Sequence, residues 1–168
     1  MLTEEKNRLL TEVGPNTPMG NLLRRYWHPV AGVSEFDGKA LKPLRLFGED
    51  LLLFKARNGK FGLVARRCAH RGSDLSFGIV EDDGIRCSYH GWAYDGTGQC
   101  VHQPFEETVD PGAALRKGTR IAAYPVQIKA GLVWAYLGPQ PSPLLPDWEA
   151  FSWPNCFAQI VISEIPCN

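Results

Sequence analysis

The spacing of apolar residues changes along the chain. From Trp27 onward, apolar and β-branched residues occur in short runs separated by turn residues, and Asn58-Gly59 is a strong signal for a β-hairpin. Short strands at this spacing predict an all-β, antiparallel sandwich or small barrel rather than βαβ units. The predicted strands are 44–47, 51–55, 61–65, 92–94, 100–102, 124–129 and 132–137, with turns at 48–50, 58–60, 95–98 and 130–131.

The segment before Trp27 has helical signals instead. Thr3 is a suitable N-cap, Glu4 and Glu5 suit the positive end of a helix dipole, and Gly14-Pro15 would end the helix. Short N-terminal helices are therefore expected over 3–13 and 19–25.

A proline-rich stretch, 138–146, follows the predicted strands and indicates an extended, semi-rigid connector. One more strand is expected over 157–165, and because a strand-like run without a closing element is an unusual ending, we expect the polypeptide to continue past Asn168. The expected organisation is a helical segment (1–26), a β domain (27–138), and a connector with the first strand of a further domain (139–168).

Composition excludes several classes of partner. Eighteen basic and eighteen acidic residues give a formal net charge of zero, and no basic tract is present to bind nucleic acid or an anionic membrane surface. The residues after Met1 do not resemble a signal peptide, and no apolar run is long enough to span a bilayer. Five cysteines, an odd number, argue against a disulfide framework. We therefore expect a cytoplasmic protein.

Two clusters carry the candidate chemistry: Cys68-x-His70 and, sixteen residues later, Cys87-x-x-His90. A single zinc ion is more usually bound by two Cys-x2–4-Cys knuckles. Two irons bridged by two sulfides accept one cysteine and one histidine from each loop. With only two thiolates the oxidised centre is formally about neutral, so it accepts an electron more readily than a four-thiolate centre. A structural zinc module is the alternative, and metal analysis distinguishes the two.

These clusters resemble the Rieske [2Fe-2S] motif, in which both cysteines bind one iron and both histidines bind the other. The resemblance implies that Cys68 and Cys87 bind the first iron and that His70 and His90 bind the second. The glycines that follow both histidines allow the loops to turn closely, so that backbone N–H groups can donate to the sulfurs.

Other residues indicate which class of Rieske protein the chain resembles. Respiratory Rieske proteins have an extra cysteine in each loop where this chain has Ser73 and Tyr89, and a sulfide-binding serine where it has Trp92. Segments 70–72, 89–92, 124–126 and 131–139 resemble the terminal oxygenase component of Rieske non-haem iron oxygenases, in the phthalate dioxygenase and vanillate demethylase branch. Ala69 and Ser88 depart from the family, which often has proline there.

This resemblance implies electron transfer. A [2Fe-2S] cluster would receive electrons from an NAD(P)H-dependent flavin/iron–sulfur reductase and pass them to a mononuclear Fe(II) in a catalytic domain, within a homotrimer. That iron needs two histidines and a carboxylate. The only histidines besides those of the motif are His28 and His102, so no catalytic residue is assigned in this chain and the mononuclear iron is expected in a domain absent from it. The alternative is a free-standing Rieske ferredoxin.

Other chemically notable residues have structural interpretations. Cys100, Cys156 and Cys167 are expected to be packed thiols, and His28 to be a hydrogen-bonded structural histidine. His102 is expected at the surface, with a position facing the cluster loops as the alternative. Trp92 is interpreted as a lid over the cluster, with simple core packing as the alternative.

Overall fold

The computed structural model of the protein describes residues 2–110, 112, 114–155 and 159–163. Two short helices come first, α1 (Glu4–Thr11) and α2 (Pro18–Leu23). Each begins at a threonine whose hydroxyl accepts a backbone N–H: Thr3 caps α1 through Lys6 N at 3.3 Å, and Thr17 caps α2 through Gly20 N at 3.1 Å. Both predicted helices are confirmed, with ends shifted by one or two residues.

In the described part of the chain, eleven strands form three antiparallel sheets. Sheet I has the strand order β1-β11-β10, sheet II β2-β3-β4-β9, and sheet III β5-β6-β7-β8. The strands are β1 (Trp27–Gly32), β2 (Leu41–Leu46), β3 (Glu49–Lys55), β4 (Phe61–Ala65), β5 (Ile79–Glu81), β6 (Gly84–Arg86), β7 (Ala93–Asp95), β8 (Cys100–His102), β9 (Ala123–Tyr124), β10 (Val126–Lys129) and β11 (Leu132–Tyr136). The all-β prediction is confirmed.

Sheet II is the middle layer, as β3 shows. Side chains alternate across a strand, and Leu51 and Leu53 pack with residues of sheet I, whereas Leu52 and Phe54 pack with residues of sheet III. All four are at most 1% exposed. A strand that is buried on both faces needs a continuous apolar run rather than alternation, which is the pattern that predicted it.

Sheet III carries two loops that leave the core. Loop 1 (residues 68–73) follows β4, and a 3-10 turn, Leu75–Phe77, leads from it into β5. Loop 2 (residues 87–92) joins β6 to β7. After β8 come two short helices, α3 (Glu106–Val109) and α4 (Ala114–Gly118).

The connector lies against the outer face of sheet I. Trp27 Nε1 donates to the Pro143 carbonyl at 2.9 Å, and the Trp134 ring lies 5.6 Å from Trp148 and 6.1 Å from Phe151, between ring centroids. Trp27 and Trp134 are consequently buried.

Some elements differ from prediction. The expected strand 124–129 is divided at Pro125, which has no N–H to donate to a neighbouring strand. The prediction of a strand over 157–165 is wrong for residues 159–163, which have no regular secondary structure. The other residues of that predicted strand lie outside the described part of the chain. Strands β1, β5 and β6 were not predicted: β1 contains a proline and a register shift, and β5 and β6 have three residues each.

No helix of the described residues has both the length and the apolar character needed to cross a membrane.

Candidate metal centre

Loops 1 and 2 have the same backbone hydrogen bonds. In loop 1, Cys68 N donates to Ser73 O at 2.9 Å and Gly72 N donates to Cys68 O at 2.9 Å. In loop 2, Cys87 N donates to Trp92 O at 2.8 Å and Gly91 N donates to Cys87 O at 3.1 Å. Each turn thus closes between the cysteine and the residues four and five positions later.

Both closing glycines have a backbone conformation that other residues rarely adopt. Gly72 has φ +67° and Gly91 has φ +76°. A Cβ atom at Gly91 would also lie 2.9 Å from Pro104 Cγ, whereas the space at Gly72 is open. Both positions therefore favour glycine because of their positive φ angles, and Gly91 also because a side chain there would collide with Pro104.

An arginine precedes each cysteine and supports the same turn. Arg67 Nη1 donates to Gly72 O at 3.3 Å, and Arg86 Nη1 donates to Gly91 O at 2.8 Å. Arg86 is fixed in turn by Glu81, at 2.6 and 2.9 Å. Sequence reasoning did not assign a role to either arginine, although the shared Arg-Cys-x-x-x-Gly pattern was a visible signal.

The two motif cysteines are free, buried thiols. Burial raises the pKa of the Cys68 thiol, and its neighbour Cys87 raises it further. The Tyr94 hydroxyl, 3.2 Å from the Cys68 sulfur, and the His70 backbone N–H act in the opposite direction on that pKa because they stabilise a thiolate. The raised pKa means that the Cys68 thiol keeps its proton at neutral pH.

Tyr94 is a buried partner of loop 1 that sequence reasoning missed. Its hydroxyl lies 3.2 Å from Cys68 Sγ and accepts the Ala69 N–H at 3.1 Å. Burial raises the pKa of Tyr94 far above its usual range, so the hydroxyl keeps its proton. Because the oxygen already accepts from Ala69, that proton is available to the sulfur. Tyr94 reaches Cys68 from β7 of sheet III, a contact that no local sequence pattern reveals.

The two motif histidines lie side by side. The rings of His70 and His90 have centroids 4.6 Å apart at an interplanar angle of 62°. Trp92 stacks on His70 at 4.6 Å and 8°, and the exposed Tyr89 lies 3.8 Å from the His90 ring. The Nδ1 atom of His70 is buried and has no hydrogen-bond partner among the described residues.

The base of loop 1 is held by an ion pair. Arg66 Nε donates to both carboxylate oxygens of Asp74, at 2.9 and 2.8 Å, and Arg66 Nη2 lies 2.6 Å from Asp74 Oδ2. Asp74 also accepts Ser76 N at 2.9 Å, capping the 3-10 turn after the loop. The Arg66 guanidinium, with Ser76, holds the pKa of Asp74 well below its ordinary value.

The remaining residues have structural contacts. His28 is hydrogen-bonded to the Leu23 carbonyl at 2.8 Å, as expected. His102 is half-buried rather than at the surface, and its Nδ1 is 2.9 Å from Arg86 Nη1, which links it to loop 2. Cys100 is a buried, free thiol as expected, whereas Cys156 and Cys167 lie outside the described residues. Trp92 is 5% exposed and covers His70.

The structure thus brings together all four residues of the two motifs as a pair of buried thiols and a pair of adjacent imidazoles. Within the described residues, no three His, Cys, Asp or Glu side chains are arranged around one metal-ion position.

Comparisons with known proteins agree with the motifs. The model of the Rieske [2Fe-2S] domain family matches residues 26–125. The chain is 58% identical to the 5,5′-dehydrodivanillate O-demethylase oxygenase subunit of Sphingobium sp. (strain SYK-6), over all of this chain and 40% of that protein. It is 39% identical to the phthalate 4,5-dioxygenase oxygenase subunit of Pseudomonas putida, over all of this chain and 38% of that protein. It therefore spans about two fifths of the length of these relatives.

Solved structures give the same result. The reduced complex between oxygenase and ferredoxin in carbazole 1,9a-dioxygenase matches with a TM-score of 0.60 and 33% identity, over 73% of this chain and 31% of that one. The Pseudomonas putida CBB5 NdmA QL mutant with caffeine matches with a TM-score of 0.65 and 30% identity, over 77% of this chain and 39% of that one.

Proposed function

Since the chain belongs to the Rieske [2Fe-2S] domain family, we propose that Cys68, His70, Cys87 and His90 hold its cluster and that the domain transfers single electrons. The observation that carries this proposal is the geometry of the two matched loops: each presents one buried thiol and one imidazole, and the two imidazoles are adjacent.

The residues present fit such a cluster. His70 Nδ1 is a buried nitrogen without a partner among the described residues, which is costly unless the nitrogen binds something. The two buried thiols are chemically suited to the thiolate-binding iron, and the two imidazoles to the other. When bound, a cluster with this ligand set supplies a one-electron acceptor and donor of higher potential than a four-cysteine cluster.

The surrounding residues have definable tasks. Cys68 and Cys87 release their protons on binding metal. Tyr94 donates its hydroxyl proton to Cys68 Sγ and stabilises negative charge there. Trp92 covers one face of His70 and excludes water from it. The arginines before the cysteines and the Arg66–Asp74 pair hold the loops in shape, so that little reorganisation accompanies each electron transfer.

For the full-length protein we propose an aromatic-ring oxygenase or O-demethylase, in which electrons arrive from an NAD(P)H-dependent flavin/iron–sulfur reductase and leave for a mononuclear Fe(II) in a catalytic domain, within a homotrimer. The two relatives, an O-demethylase oxygenase subunit and a dioxygenase oxygenase subunit, support the oxygenase class. The solved oxygenase–ferredoxin complex supports an electron-transfer protein as partner.

We further propose the division into a helical segment (1–26), a Rieske domain (27–138) and a connector leading toward the catalytic domain (139–168). The start of β1 at Trp27 and the family match over 26–125 support the first boundary. The end of β11 at Tyr136 supports the second.

The test is metal and sulfide analysis of the anaerobically purified chain, with EPR of the dithionite-reduced protein. We expect about two irons and two acid-labile sulfides per chain and a rhombic signal with a low average g value. Cys87→Ala is expected to abolish the signal, whereas Cys100→Ala, which removes an equally buried thiol that is not a proposed ligand, is expected to retain it. One zinc per chain, or an intact signal in Cys87→Ala, would overturn the proposal.

A further inference from the structure

Glu106 lies outside both loops, yet its carboxylate reaches the centre through Trp92. Trp92 Nε1 donates to Glu106 Oε2 at 3.1 Å, and the Trp92 ring is nearly parallel to that of His70, 4.6 Å away. We propose that Glu106 is a positioning residue that holds the indole flat against His70 and thereby fixes the plane of that imidazole. This inference rests on the proposed function, because His70 is a proposed ligand.

The His70 imidazole needs such support. The torsion that sets the ring plane of a histidine is broad, and before a cluster is bound the buried Nδ1 of His70 has no hydrogen bond among the described residues to restrict it. The neighbouring His90 ring meets it at 62°, so His90 is not stacked on it. The parallel contact with Trp92 therefore sets the ring plane before a cluster binds and supports it in the loaded chain.

The indole itself is held by its polar edge. A stacked ring can slide or rotate in its own plane, and a hydrogen bond from Nε1 removes that freedom. The acceptor is a carboxylate, so the bond is charge-assisted and stronger than one to a neutral oxygen. Trp92 is 5% exposed, and losing Glu106 would leave a nearly buried N–H without its acceptor.

Glu106 is well placed for this task because α3 is anchored from both sides. The adjacent Glu107 accepts the backbone N–H of the buried Gln103 at 2.8 Å and the Arg116 guanidinium of α4 at 2.9 Å. A helix of four residues has no stability of its own, so these contacts fix its position. Glu106 thus offers a rigid acceptor rather than a mobile surface carboxylate.

The experiment combines substitutions at Glu106 and Trp92 in the iron-loaded chain. It measures the rate at which a ferrous chelator removes iron and the EPR g values of the reduced protein. Glu106→Ala is expected to speed iron loss about tenfold, the factor that corresponds to losing a charge-assisted hydrogen bond, and to broaden the EPR signal. Glu106→Gln is expected to speed iron loss only about threefold, because its amide oxygen accepts the same indole proton but lacks the charge that makes the bond roughly twice as strong.

Trp92→Phe keeps an aromatic ring but has no N–H, so it is expected to match Glu106→Ala, and adding Glu106→Ala to it is expected to change nothing further. Trp92→Phe also carries the test if Glu106→Ala fails to fold. Thr108→Ala is the matched control: it removes a 2.6 Å hydrogen bond from α3 to the carbonyl of Phe105, the residue before the helix, without touching Trp92, and should behave as the wild type.

Three results would overturn the inference. Equal effects of Glu106→Gln and Glu106→Ala would mean that the charge acts, not the hydrogen bond. Additive effects of Glu106→Ala and Trp92→Phe would mean that Glu106 acts elsewhere. A wild-type signal and iron-loss rate in Glu106→Ala would remove its role. In all three, the wild type still holds iron and sulfide; a wild type that holds neither would overturn the proposed function instead.

Discussion

Replacing Asp74 tests whether loop 1 is held from its base. The Asp74 side chain is only 13% exposed and does two things at once: it accepts hydrogen bonds from Arg66 and caps the turn at Ser76. Loss of a helix-capping side chain costs about 1 kcal/mol. We assign a similar free energy, about 1 kcal/mol, to the charge-assisted hydrogen bonds that the Asp74 carboxylate accepts from the partly exposed Arg66. Asp74→Ala is therefore expected to lower the free energy of unfolding by about 2 kcal/mol.

Denaturant unfolding at pH 7 measures this change, together with thermal unfolding, in which about 2 kcal/mol corresponds to roughly 4–8 °C for a chain of this size. Asp74→Asn keeps a capping oxygen but loses the charge, so it is expected to show about half the effect. The control is Glu12→Gln, which breaks the exposed Arg8–Glu12 pair and is expected to change little. An Asp74→Ala protein as stable as the Glu12→Gln protein would refute the argument.

The pH dependence supplies an independent check. The pKa of Asp74 is lower in the folded chain than in the unfolded one. The stabilisation that its ionised carboxylate gives the folded chain is therefore fully present above the unfolded-state pKa of about 3.9 and is lost as the pH falls toward the folded-state pKa. The stability difference between the wild type and Asp74→Ala should thus be constant from pH 7 to pH 5 and shrink below pH 4. A difference that grows on acidification would contradict this assignment.

The other predictions concern the loops. Tyr94→Phe removes the hydroxyl that lies 3.2 Å from Cys68 Sγ and that donates to this sulfur once it is a thiolate. The substitution is expected to lower the reduction potential by about 40 mV, equivalent to about 1 kcal/mol for one electron. Potentiometric titration measures the potential, and an unchanged or higher value would contradict the prediction. Gly91→Ala is expected to destabilise the fold more than Gly72→Ala, since both glycines have positive φ but only Gly91 is crowded, by Pro104. Denaturant unfolding compares the two, and equal losses would show that crowding is unimportant.

The sequence located much of the fold because its signals were local. The run Leu51–Phe54 and the Asn58-Gly59 turn identify β3, β4 and their connection without reference to the rest of the chain, and the structure agrees. Strands β5 and β6 have three residues each, too few for a period to be recognised.

The candidate site likewise combines residues that a local sequence pattern identifies with residues that only folding brings together. Cys68, His70, Cys87 and His90 are recognised by spacing within two short segments, and their assignment as ligands stays a prediction. Tyr94 lies 26 positions from Cys68 along the chain, and no repeating pattern relates Glu106 to Trp92. Contacts of this kind are created by the packing of sheet III and the helix after it, so only the folded chain reveals them.

The way the connector lies on sheet I affects where this protein can be shortened. A piece ending near Gly138 would contain every strand described, but it would lose the Pro143 carbonyl that binds Trp27 and the aromatic side chains that cover Trp134. Two indoles would then face water on one side of the molecule, an apolar patch of the kind that promotes self-association. Expression of the redox module by itself should therefore retain the chain through Phe151, even though residues 139–148 form no regular secondary structure.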